Sequence, residues 1–135
     1  MPLTTYAVPR ISSLVVTVIL TDEALSWYGS LDAADQAAMD RMIAVLERDG
    51  VSLGYPQSTK VNIAKKCAMR ELRTTSHGRD LRAFHVFDPR RQAVLTGGDT
   101  TGKGGRFYEQ QVAFAEKVYE QYLVEQKRGD HDKKK

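Results

Sequence analysis

The sequence predicts an α+β fold with a mainly antiparallel sheet: an N-terminal strand, two helices, a three-stranded meander and a C-terminal helix. Three observations carry that prediction. Residues 14–20 form a short β-branched apolar run, as in a strand covered on both faces. Ala38, Met39, Met42, Ile43 and Leu46 recur at three- and four-residue spacing, the stripe of an amphipathic helix. Between Met69 and Thr96, three segments alternate at period two, separated by His77-Gly78 and by Asp88-Pro89-Arg90-Arg91.

A chain of 135 residues suits one domain with one core. Its 41% hydrophobic and 27% charged composition sets aside disordered, collagen-like and coiled-coil classes. The run at 14–20 is too short to span a bilayer, and without a basic leader or small-residue cleavage site it does not read as a secretory signal. Cys67 is the only cysteine, so no internal disulfide can form, and a reducing cytoplasm is the expected location. No cysteine–histidine cluster offers a zinc site; neither metal nor cofactor is expected.

Charge is uneven. Residues 1–50 carry three basic against seven acidic side chains, residues 51–106 eleven against four, and residues 107–135 six of each. A basic middle on one sheet would attract a polyanion such as nucleic acid. Strand-edge arginines that keep a sheet soluble and unpaired would look the same.

In chain order, residues 1–13 hold Pro2 and Pro9, show no period and read as a loose lead-in to a domain over 14–125. Thr21 offers an N-cap, with Asp22 and Glu23 in the first turn of a short helix that Gly29-Ser30 ends. Asp32 can cap the second helix and Gly50 can stop it; the two helices would cover one face of the sheet. Residues 51–66 read as an exposed loop, from Gly54, Pro56, Ser58, Thr59 and three lysines. The meander follows as strands at 69–75, 80–87 and 93–96. Residues 97–105 read as a flexible glycine-rich loop, and Lys103 is followed by Gly104, so no G-x-x-x-x-G-K-[ST] phosphate loop exists. A helix over 107–125 then precedes a polar, charge-rich, frayed tail at 126–135.

The meander's alternation puts Glu71 and Arg73 on one strand face, with Arg70 on the other and Arg82 on the next strand. Cutting RNA without a metal needs a base for the 2′-hydroxyl, cations for the phosphorane and an acid for the leaving oxygen. Glu71 beside Arg73 suits the base, and the forked guanidinium groups of Arg73 and Arg82 suit the phosphate. Lys103 and Arg106 can serve the leaving oxygen, and Tyr108 can stack on a base or orient the phosphate. Lys65, Lys66, Arg70, Arg79 and Lys103 supply further RNA-binding charge. The same Glu71, Arg73 and Arg82 also fit an ordinary cross-strand charge network worth about a few tenths of a kcal/mol per pair. His77 lies in a turn, and His85 reads as a satisfied core histidine.

Several pieces occur in a fixed order: Leu31-Asp32, Ser52-Leu-Gly54, Met69-Arg-Glu-Leu-Arg73, Arg82-Ala-Phe-His-Val-Phe-Asp-Pro-Arg-Arg91, Ala93-Val-Leu-Thr-Gly-Gly98, Thr101-Gly-Lys103, Arg106-Phe-Tyr-Glu109 and Val118-Tyr-Glu-Gln-Tyr-Leu123. That order, over about residues 16–123, resembles the HigB/RelE superfamily of toxins from type II toxin–antitoxin systems, and within it the phage-derived HigB-like subgroup. The resemblance implies a RelE-like small domain that enters the ribosomal A site and cuts mRNA, usually with no metal. It implies catalytic roles for Glu71, Arg73, Arg82, Arg106 and Tyr108, and a cognate antitoxin, commonly a small helix-turn-helix protein of HigA type. Some branches use a C-terminal histidine, which this chain lacks near Tyr108. A gyrase poison of ParE type, and a non-catalytic RNA- or protein-binding relative, are the alternatives on the same fold.

Overall fold

The computed structural model describes residues 4–6, 16–99 and 105–133. Six strands form one sheet in the order β1-β2-β6-β5-β4-β3: β1 (Thr4–Tyr6), β2 (Val18–Leu20), β3 (Ser58–Lys60), β4 (Arg70–Ser76), β5 (Arg79–Phe87) and β6 (Ala93–Asp99). Every neighbouring pair is antiparallel except β2 with β6. Helices α1 (Asp22–Gly29) and α2 (Ala33–Asp49) pack on one face and α3 (Gly105–Lys133) on the other. The fold is the α+β arrangement that the sequence predicts.

The expected apolar strand is central because its two faces meet two cores. Val18 and Leu20 join the α1/α2 core, while Ile19 joins the α3 core, and all three are buried. Strand pairing covers only 18–20; Val16 and Thr17 tie the preceding chain to Glu47 and Ala93 by backbone hydrogen bonds, and residues 14 and 15 lie outside the described ones. Both predicted caps form. Thr21 Oγ1 accepts from the Ala24 N–H at 3.2 Å, and Asp32 Oδ1 accepts from the Asp35 N–H at 2.8 Å. Gly50 ends α2 with its N–H on the Leu46 carbonyl.

Four expectations change. Within the lead-in, Thr4–Tyr6 pairs with β2 as an edge strand; the rest of residues 1–13 lies outside the described residues. Within the expected loop at 51–66, a 3₁₀ turn (Gly50–Ser52) is followed by β3, which satisfies the edge of β4 over Arg70 to Leu72. The strand expected at 93–96 continues through Gly97 and Gly98 to Asp99, with an extra residue at Thr96 between the pairs His85↔Leu95 and Phe84↔Gly97. Gly98 acts by its lack of a side chain: a Cβ there would fall 2.2 Å from Trp27 Cε2. Finally, α3 runs to Lys133 rather than ending near Glu125, since Glu125, Gln126, Lys127 and Arg128, all good helix formers, carry the helix past that point.

The hairpin between β4 and β5 matters most for the site. Ser76 pairs with Arg79 across the two-residue turn His77-Gly78, whose φ angles of 53° and 73° are the positive pair a tight twisted hairpin requires. That turn fixes the register in which Glu71 faces Phe84 and Arg73 faces Arg82.

Candidate active site

Side chains on one face of β4 and β5 converge beneath the first turns of α3. Met69, Phe84 and Val86 share that face and help build the α3 core, and Glu71 sits among them, only 7% exposed. The Tyr108 O–H donates to Glu71 Oε2 at 3.3 Å, and Thr59 Oγ1 on β3 lies 3.4 Å from Glu71 Oε1. Both contacts are long for hydroxyl–carboxylate bonds. The Arg82 guanidinium lies over the Tyr108 ring, 5.4 Å from its centroid, and the Phe84 ring meets Tyr108 edge-on at 5.9 Å. Arg82 Nη2 also lies 3.8 Å from Asp80 Oδ2, while its Nε is buried with no hydrogen-bond partner.

The electrostatics follow from this packing. Burial pushes the Tyr108 hydroxyl up to about 12, helped by the Glu71 charge and hydrogen bond and opposed by Arg82 and Arg73. At neutral pH the phenol is therefore a proton donor held against a carboxylate. Arg73 and Arg82 stand directly opposite each other in an antiparallel pair. Like charges so placed repel unless an anion sits between or beside them. Asp80, 3.8 Å from Arg82, supplies part of that counter-charge from within; a phosphate would supply the rest from outside.

The structure brings four of the sequence-predicted residues together: Glu71, Arg73, Arg82 and Tyr108. Arg106 is exposed in the first turn of α3, two residues before Tyr108. Lys103 lies outside the described residues. Lys65 and Lys66 are exposed in a loop pinned to α3, where both backbone N–H groups donate to Glu116 Oε2 at 3.0 and 2.8 Å. Arg70 and Arg79 are not brought to this face. Arg70 alternates with Glu71 and spends its guanidinium on Ser58, at 2.8 Å to Oγ and 3.2 Å to the carbonyl. Arg79 is ion-paired to the buried Asp35 of α2, on the far side of the sheet.

Thr59 is the contact that sequence reasoning missed. Its signal was a β-branched residue flanked by Ser58 and Lys60, drowned by Gly54 and Pro56. His85 is fully buried as expected of a core histidine, but its ring nitrogens make no hydrogen bond. Burial, with Arg70 nearby, drives its pKa down to about 3; a contact with the Ala83 backbone, outside hydrogen-bond geometry, opposes this weakly. His77 lies near Asp32 and Asp35, with one potential ligand atom of each within 4.8 Å of the others. The Arg79 cation on Asp35 and the N-terminus of α2 make that corner a poor seat for a metal ion.

Residues 26–120 match the family described as phage derived protein Gp49-like (DUF891). Two curated relatives come from Mycobacterium tuberculosis (strain ATCC 25618 / H37Rv). "Putative toxin HigB3" is 34% identical over 115 residues, covering 84% of this chain and 99% of that protein. HigB2, named in the same way, is 31% identical over 102 residues, covering 74% of this chain and 51% of its own length. The match thus spans about half of HigB2. No solved structure matches the chain.

Proposed function

The chain belongs to the phage-derived Gp49-like family and is a HigB-like toxin, and on that premise we propose that it cuts mRNA on the ribosome and so blocks translation. The observation that carries this reading is the cross-strand pair Arg73 and Arg82, set beside Glu71 with the Arg82 guanidinium over the Tyr108 ring. The two guanidinium groups hold the scissile phosphate and stabilise the charge that builds on its oxygens. Glu71 takes the proton of the 2′-hydroxyl; its two long contacts allow either oxygen to exchange a partner for that hydroxyl. The 2′-oxygen then bonds to phosphorus as the bond to the 5′-oxygen breaks, leaving a 2′,3′-cyclic phosphate and a 5′-hydroxyl. Lys103 gives the departing 5′-oxygen its proton, Arg106 stabilises the charge on that oxygen, and Tyr108 positions Glu71 and Arg82. The chemistry needs no metal, and Lys65 and Lys66 extend the RNA-binding charge along α3.

A cognate antitoxin, a small helix-turn-helix protein of HigA type, holds this activity silent in the cytoplasm. No helix among the described residues is long and apolar enough to cross a membrane.

The test is induced expression of wild type and of Glu71→Ala, Arg82→Ala and Tyr108→Ala, scored by growth arrest, mRNA integrity and DNA breaks. Wild type is expected to arrest growth and fragment mRNA, and each variant to lose both. Arrest with intact mRNA and broken DNA would replace the reading by gyrase poisoning. Three variants as toxic as wild type would remove the site.

A further inference from the structure

An open cleft of about 480 Å³ adjoins the candidate site; Tyr55, Gln57, Met42, Thr75, Asp80 and Arg73 line it, and of these only Arg73 takes part in the chemistry above. It arises because β3 ends early. β3 covers β4 only at Arg70, Glu71 and Leu72, and the last bond from the chain before it joins the Arg73 N–H to the Gln57 carbonyl at 2.8 Å. From Thr74 onward the outer edge of β4 has no strand neighbour among the described residues. The segment carrying Tyr55 stands across that gap. Tyr55 is 82% exposed, more than any other large hydrophobic residue described.

Two walls of the cleft belong to the site next door. Arg73 lines it and also stands opposite Arg82, near enough to Tyr108 to affect its hydroxyl. Asp80 lines it and lies 3.8 Å from Arg82. A strand of RNA whose phosphate sits on Arg73 and Arg82 therefore has its next nucleotide at the cleft mouth. The lining suits an unstacked base: an exposed aromatic ring for its face, apolar Met42 behind, and polar Gln57 and Asp80 for its edge. The volume falls within the roughly 300–1,000 Å³ of small-ligand sites.

We propose that this cleft is a nucleobase subsite, in which Tyr55 stacks on the base flanking the scissile phosphate and so holds the strand in register for cleavage. The proposal rests on the RNA-cutting reading and adds a binding determinant to it. Stacking on an aromatic ring is tolerant of base identity, so Tyr55 sets affinity and not sequence preference.

Cleavage of one mRNA by wild type, Tyr55→Phe and Tyr55→Ala, free and on programmed ribosomes, tests it. Where wild type cuts, Tyr55→Ala is expected to raise KM about tenfold with kcat changed less than about threefold, as loss of one stacked base implies. Tyr55→Phe, which keeps the ring, is expected within about twofold of wild type. Because Tyr55 is exposed, both variants are expected to melt with wild type. A fluorescent 2-aminopurine placed beside the cut is expected to be quenched by wild type and Tyr55→Phe but not by Tyr55→Ala. An unchanged KM in Tyr55→Ala, while Arg82→Ala abolishes cutting, overturns the subsite and leaves the function standing. No cutting by wild type in either setting overturns both.

Discussion

Tyr108 joins the charges at the site, and its two halves do separable work. The ring lies under Arg82 and against Phe84, while the hydroxyl donates to Glu71. Tyr108→Phe keeps the ring and removes the donor, so it is expected to slow mRNA cleavage by about tenfold, the scale of one lost hydrogen bond to a charged group. Tyr108→Ala removes both and is expected to slow it further; single-turnover rates on programmed ribosomes distinguish the two. His85 tests the same physics in the core. Its folded pKa of about 3 lies below the ordinary histidine value of 6.5. The unfolded chain therefore takes up the proton first as pH falls, so stability present above about pH 6.5 is lost progressively toward pH 3. Replacing His85 by Leu removes the titration and two unpartnered ring nitrogens. It is expected to raise stability at neutral pH by about 1 kcal/mol or more and to flatten the fall between pH 6.5 and 3, as read by denaturant melts.

Elements were legible where one pattern dominated and hidden where two effects competed. The period-two alternation of 69–75 and 80–87 placed Glu71, Arg73 and Arg82 on their faces, and the His77-Gly78 turn locked the register. Caps at Thr21 and Asp32 were equally plain, because a side-chain oxygen before an apolar stripe has few other uses. β3 was not legible: the three residues Ser58–Lys60 carry too little period to outweigh loop signals, and only the open edge of β4 makes them a strand. Nor was the extension of β6, since Gly97 and Gly98 read as loop when nothing in the sequence says that Trp27 packs on Gly98. Gly98→Val is the corresponding test. Its Cβ would meet the Trp27 ring at 2.2 Å, so the variant is expected to lose about 1–3 kcal/mol of stability by overpacking, measured by urea unfolding.

At the scale of the molecule, the basic middle of the chain divides between the two faces of the sheet. Arg73 and Arg82, with Lys65 and Lys66 beside α3, share one side, while Arg70 and Arg79 are engaged by Ser58 and Asp35 away from it. Charge counts along the sequence could not make that division, because alternation within a strand sends neighbouring arginines to opposite faces. RNA affinity is therefore expected to depend on the α3-side cations. With about four phosphate contacts, raising salt from 50 to 200 mM is expected to weaken binding by roughly 10- to 100-fold, read by titration of a labelled RNA. Arg79→Ala is expected to leave that salt slope unchanged, whereas Arg82→Ala reduces it. The site itself is tested most directly by the single-turnover rate of mRNA cleavage on programmed ribosomes, compared between wild type and Arg82→Ala at equal folded fraction. A fall of about 100-fold or more is the predicted result, as for loss of one donor to the charge of a transition state; a rate within about twofold of wild type would contradict it.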